Sequence, residues 1–165
     1  MAVVTKLSVQ DIQLALYRSQ FWNNKQDLYV PNVPYGMFGH EIDLAIMNNS
    51  GYITEIAIKR SWDEFISDFK KGFSHDDERV SFFAYCVPEK IIDKVCKYIV
   101  SNFKNYEDEP AVLYYNEDGN IAMAPIGFIR RPGKHRSLFL EEIYQLAKLG
   151  VFRYWELLND KKKDN

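Results

Sequence analysis

Residues 39–59 read GHEIDLAIMNNSGYITEIAIK, two apolar, β-branched runs joined by Asn48, Asn49, Ser50 and Gly51, a pattern that admits little besides a β-hairpin. A three-residue loop at Asn49, Ser50 and Gly51 is the expected connection, because such a loop ends in a left-handed position where glycine carries no steric cost. That loop sets the register. With residues 39–47 and 52–59 as strands and Asn48 paired with Tyr52, Asp43 lies opposite Ala57, Glu41 opposite Lys59 and Ala45 opposite Glu55, all on one face. Opposed β-carbons are roughly 5 Å apart, close enough for two side chains to act on one ligand. A helix follows directly. Ser61 and Glu64 form a capping box, Trp62, Phe65, Ile66 and Phe69 recur at helical spacing, and Gly72 is the expected stop.

The remaining chain alternates helix and strand signals. Residues 8–21 predict a helix capped by Ser8, with Asp11 three residues on and Ile12, Leu14, Leu16 and Tyr17 at apolar positions. Residues 28–35 are extended, and Pro31 and Pro34 mark them as an edge or irregular strand. Residues 80–87 are apolar on both faces, which predicts a central strand, parallel to that of Glu55 because a helix crosses over between them. Pro88 opens a helix to about Phe103, with Ile91, Ile92, Val95 and Ile99 inward. Residues 111–115 and 120–124 form a second hairpin around Glu117, Asp118 and Gly119. A last helical region covers 137–158, with a break expected at Gly150. The order is αβββαβ followed by α, β-hairpin and α, an α/β fold with a mixed β-sheet flanked by helices.

At 165 residues and 47% apolar content, the chain predicts one domain over 1–159 whose core needs no staples, followed by a disordered charged tail at 160–165. No apolar run approaches 18 residues and the N-terminus lacks a signal pattern, so the expectation is a cytoplasmic protein with no membrane partner. Cys86 and Cys96 have no paired spacing and read as buried free thiols. His40, His75 and His135 have no ligand spacing either and read as surface histidines. A net charge of -2 excludes coating of nucleic acid by bulk electrostatics and leaves only local basic patches. One is Arg130, Arg131, Lys134, His135 and Arg136, interrupted by Pro132 and Gly133; another is Lys59, Arg60, Lys70 and Lys71. These are either solvated surface or phosphate-positioning groups, and in the second case Arg60, Arg130, Arg131, Lys134 and Arg136 are the candidate nucleic-acid contacts.

Asp43 lies mid-strand between Ile42 and Leu44, where aspartate is disfavoured, so a metal ion or a polar network has to compensate for it. An acidic strand, a turn, a strand ending in acid-x-lysine and then a helix resemble the PD-(D/E)XK nuclease superfamily, with its restriction-endonuclease-like core. The stretch EIAIKRSWDEFISDFKKG resembles the MmcB-like branch, with its ExK, Ser/Arg-rich helix start and Asp-Phe-x-x-Asp. The resemblance covers most of the chain. It implies a metal-dependent DNA nuclease and, through that branch, a link to DNA repair.

The chain departs from the family pattern at Ala57, where the acid two residues before the lysine belongs. The site that the resemblance implies is then Asp43 and a relocated Glu55 holding Mg²⁺ or Mn²⁺. Lys59 would orient the attacking water or offset charge on the phosphate. Glu55 is diagonal to Asp43 by roughly 7 Å at the backbone and would reach the cation through a water. Glu41 is a supporting residue, most simply the ion-pair partner of Lys59, and Gln10 or Gln13 of the first helix would approach the same site. The alternative is a nuclease-like fold that no longer cleaves and binds nucleic acid or a protein, with Ala57 marking the loss. A structural protein with no nucleic-acid role is the third reading.

Overall fold

Six strands form one mixed sheet in the computed structural model, which describes residues 6–19, 21, 25–71, 77–104, 109–127 and 134–163. The strands are β1 (Leu28–Val33), β2 (Ile42–Met47), β3 (Ile53–Ile58), β4 (Val80–Pro88), β5 (Ala111–Tyr115) and β6 (Ile121–Met123), and they lie in the sheet in chain order. β1, β2 and β3 form an antiparallel meander, β3, β4 and β5 run parallel, and β6 returns antiparallel. Four helices flank the sheet among the described residues: α1 (Val9–Arg18), α2 (Trp62–Lys70), α3 (Ile92–Asn102) and α4 (Leu140–Lys163). A 3₁₀ turn, Glu89–Ile91, leads from Pro88 into α3. The α/β class and the element order agree with the sequence pattern.

Both hairpins are closed by one device, Asn-x-x-Gly-x. In the first, the Asn48 amide donates to Tyr52 O at 3.0 Å, the Gly51 amide donates to Asn48 O at 2.9 Å, and Gly51 has φ +78°. Asn48 Oδ1 accepts from the amides of Ser50 and Tyr52, holding the loop from inside. Asn116 and Gly119 repeat the arrangement between β5 and β6. The pairs Leu44 with Ile56 and Ala45 with Glu55 establish the expected register of β2 on β3.

Alternation then sorts the side chains. Leu44, Ile46, Ile56 and Ile58 pack against Ile12 and Leu16 of α1 on one face. On the other, Ala57, Phe83 and Tyr85 pack under Phe65 of α2 and Val95 and Ile99 of α3, while Val30, Ala45 and Ile53 pack under Leu146 of α4. All six residues of β3 are buried. Cys86 is buried as expected, whereas Cys96 is only half-buried.

Several boundaries differ from the sequence reading. α1 ends at Arg18, three residues early, where Ser19 turns extended. α4 starts at Leu140 because the preceding residues are engaged elsewhere: the Leu138 amide donates to Gly51 O at 2.9 Å and the Phe139 amide to a Glu142 carboxylate oxygen at 2.7 Å. Gly150 does not break α4. A β-carbon there would lie 3.2 Å from Val30 Cγ2, so glycine allows the helix to approach β1 closely, and that packing offsets its roughly 1 kcal/mol deficit in helix propensity. α4 also runs on to Lys163, through residues 160–163 where a disordered tail was expected. Gly72, the expected stop of α2, lies outside the described residues.

Candidate functional site

Asp43 is placed by the hairpin register and held at both ends. Its Oδ2 accepts from the Ile58 amide at 2.7 Å, and its carbonyl accepts from Gln13 Nε2 of α1 at 2.7 Å. The same Nε2 donates to Asn32 Oδ1 at 3.0 Å, and Asn32 itself is left-handed at φ +52°. Gln13 therefore reaches the site, whereas Gln10 is exposed. Burial pushes the Asp43 carboxyl above its usual range. The Ile58 amide and the Lys59 ammonium pull it down, and the carboxylates of Glu55 and Asp68 push it further up.

Lys59 directly follows β3 and extends its pairing, its amide donating to Cys86 O at 2.9 Å. Its ammonium lies 3.1 Å from Asp68 Oδ1 of α2, both side chains 14% exposed, and Tyr85 donates its hydroxyl proton to Asp68 Oδ2 at 3.3 Å. This corrects the expected pairing with Glu41, which is exposed and lies just before β2. The helix supplies a nearer acid than the neighbouring strand does.

Glu55 is 1% exposed, and its Oε2 is 2.7 Å from His40 Nε2. His40 is 7% exposed, so it is not the surface histidine that the sequence suggested. The cause is physical: a carboxylate on a strand buried on both faces needs a donor. Ala57 pairs with Tyr85 across the parallel β3–β4 ladder and belongs to the apolar cluster of Phe65 and Tyr85, whose ring centroids are 5.0 Å apart. The position of the missing acid is thus part of the core.

The structure brings Asp43, Lys59 and Asp68 together, turns Glu55 towards His40 and leaves the basic candidates elsewhere. The Arg60 guanidinium is 3.9 Å from Glu64, and the Arg60 amide donates to the same carboxylate at 2.7 Å. Arg136 makes a two-pronged contact with Glu142 at 2.7 and 2.8 Å, reaches Glu78 at 2.9 Å and lies over the Phe139 ring, tying α4 to the segment before β4. Lys134 is exposed and His135 half-buried; Arg130, Arg131 and His75 lie outside the described residues.

Asp68 escaped the sequence reading although it carried a signal. It shares the inward stripe of α2 with Phe65 and Phe69, three and one residues away, and an acid in an apolar stripe needs a partner. His40 offers no such signal, because it sits in irregular chain whose path is set by tertiary contacts.

The donor set does not fit a divalent cation. Among the described residues no three His, Cys, Asp or Glu side chains are grouped to hold a metal ion. Continuing the Leu44–Ile56 register by one residue puts alanine opposite Asp43, Glu55 is engaged by His40, and Asp68 is engaged by Lys59.

No family model matches the chain, and no curated protein matches it. The SPO1766 protein of unknown function from Silicibacter pomeroyi is a solved structure that this chain resembles, with a TM-score of 0.59 at 15% identity over 95% of this chain and 93% of that one. At that identity the likeness is one of fold. Among the described residues no helix is long and apolar enough to cross a membrane.

Proposed function

We infer that the chain is a restriction-endonuclease-like fold of the PD-(D/E)XK type that does not cleave and acts as a protein-binding module. The element order, Asp43 facing Ala57 and Lys59 directly after its strand support the first part. One observation carries the second: Ala57 is 2% exposed beneath Phe65 and Tyr85, so the place of the second catalytic acid is closed by core packing. Protein is favoured over DNA as the partner because Lys59, Arg60 and Arg136 each face carboxylates, while large apolar side chains are exposed along α4.

The convergence of Asp43, Lys59 and Asp68 favours a second reading, an active DNA nuclease with a repair role. In it, Asp43 and Glu55 would hold Mg²⁺ or Mn²⁺, which requires Glu55 to leave His40. Incubating supercoiled, linear and single-stranded DNA with either cation and the wild type, Ala57→Glu or Lys59→Ala separates the two. The expected result is no cleavage by the wild type and no retention of DNA at physiological salt. Wild-type cleavage that disappears in Lys59→Ala would overturn the non-cleaving reading. Retention without cleavage would change the partner class from protein to nucleic acid.

A further inference from the structure

α4 carries two apolar stripes, one buried within the chain and one exposed at four of its six positions. Leu146 and Gly150 face β1 and its neighbours. On the other side Leu140, Tyr144, Ala147, Val151, Tyr154 and Leu158 succeed one another at alternating intervals of four and three residues, the spacing of a helix–helix seam. Phe139, Leu140, Tyr144, Val151, Phe152, Tyr154 and Trp155 are each between 57% and 82% exposed.

Fully buried aromatic side chains cover about 150–250 Å² each, so Tyr144, Tyr154 and the flanking Trp155 at this exposure, with Leu140 and Val151, present on the order of 600 Å². That approaches the roughly 800 Å² per partner of a standard interface and exceeds the few hundred Å² that a monomer ordinarily leaves open.

The order of residues along the seam selects the occupant. Read from either end, the seam is Leu, Tyr, a small aliphatic residue, a second small aliphatic residue, Tyr, Leu. A two-fold axis near residue 149 would set Leu140 against Leu158, Tyr144 against Tyr154 and Ala147 against Val151 of another copy. Like would meet like, with the smallest residues at the crossing, where the helix axes come closest. An unrelated helix would have no reason to require this symmetry. We propose that this face of α4 binds a second copy of the chain as an antiparallel helix pair. The inference rests on the protein-binding reading above, naming a second copy as the partner at α4, and is independent of whether the Asp43 site cleaves.

Sedimentation equilibrium of the full chain tests it. The expected mass is twice 19.4 kDa at micromolar concentration. The double variant Tyr144→Glu, Val151→Glu is expected to fall to the single-chain mass with unchanged circular dichroism, since both side chains are exposed. Mixing Ala147→Cys chains with Val151→Cys chains under oxidising conditions is expected to give a covalent dimer, while neither variant cross-links to itself. A wild type of single-chain mass overturns the proposal, as does a dimer that survives the double variant. Self-cross-linking of Val151→Cys overturns the antiparallel arrangement.

Discussion

A carboxyl side chain inside a strand buried on both faces is tolerated at low cost only where a hydrogen-bond partner is fixed beside it, and the His40 ring is such a partner for Glu55. His40→Ala is expected to lower unfolding free energy by about 3 kcal/mol, whereas Glu55→Gln, which keeps an acceptor and removes the charge, should cost less than about 1.5 kcal/mol. Urea unfolding measures both, and a His40→Ala loss below about 1 kcal/mol would mean that Glu55 has other uses, a cation among them. Asp43 calls for the opposite expectation. Its carboxyl is raised above its ordinary 3.8, chiefly by burial, so the native state holds the proton more tightly than the unfolded chain does. The group's contribution to stability falls as pH rises from 3.8 through the native value. At neutral pH Asp43→Asn keeps the acceptor for the Ile58 amide without the charge, and should raise the melting temperature; the gain should shrink in acid. A lower melting temperature at pH 7 would refute this. The placing of Asp43 opposite Ala57 was legible because a loop of defined length fixes a register. The pairs Glu55–His40 and Lys59–Asp68 were not, since each joins a strand to an element whose approach only packing determines.

The start of α4 is held by charge and by packing together. Glu142 accepts from Arg136 at 2.7 and 2.8 Å and from the Phe139 amide at 2.7 Å, with Arg79 at 3.6 Å. Arg79 in turn binds Asp77, whose carboxyl is held well below its usual range by Arg79 and the Gly39 amide although burial opposes this. The hydrogen bonds from Arg136 hold the Glu142 carboxyl at about 2, below its ordinary 4.5. The sign follows: its stabilisation is complete above 4.5 and is lost as pH falls through about 2. Because Arg136 and Glu142 are partly solvated, Glu142→Gln should cost about 1–2 kcal/mol at neutral pH, and the two proteins should converge in acid. Urea midpoints between pH 7 and pH 2 check this, and a gap independent of pH would refute it. None of these partners was legible, for Arg136 read as a candidate phosphate contact and its acids lie six and fifty-eight residues away. The elements themselves were legible where local chemistry decides them, as with the Ser8 and Ser61 caps and the two Asn-x-x-Gly turns. Gly150 misled because its role is set by Val30, a neighbour only in the folded chain.

The sheet joins an antiparallel half to a parallel half at β3, and the Asp43 cluster sits at that junction, where α2 begins the crossover to β4. α1 covers one face; α2, α3 and α4 cover the other, with α4 over the β1 edge. This arrangement follows from the order of elements in the sequence, since short turns give antiparallel neighbours and a helical crossover gives a parallel one. What the order does not determine is the outer side of α4, because a stripe facing solvent and a stripe facing the sheet have the same period. If that outer stripe joins two copies, folding and association are linked, and the melting temperature depends on protein concentration. A tenfold increase adds about 1.4 kcal/mol per dimer, and unfolding entropy of about 2.1 cal/mol/K per residue over two chains of 165 residues converts this to about 2 °C. Scanning calorimetry across two decades of concentration should therefore show a rise of about 4 °C for the wild type. The Tyr144→Glu, Val151→Glu chain should show none, and equal slopes for the two would separate stability from this face of the helix.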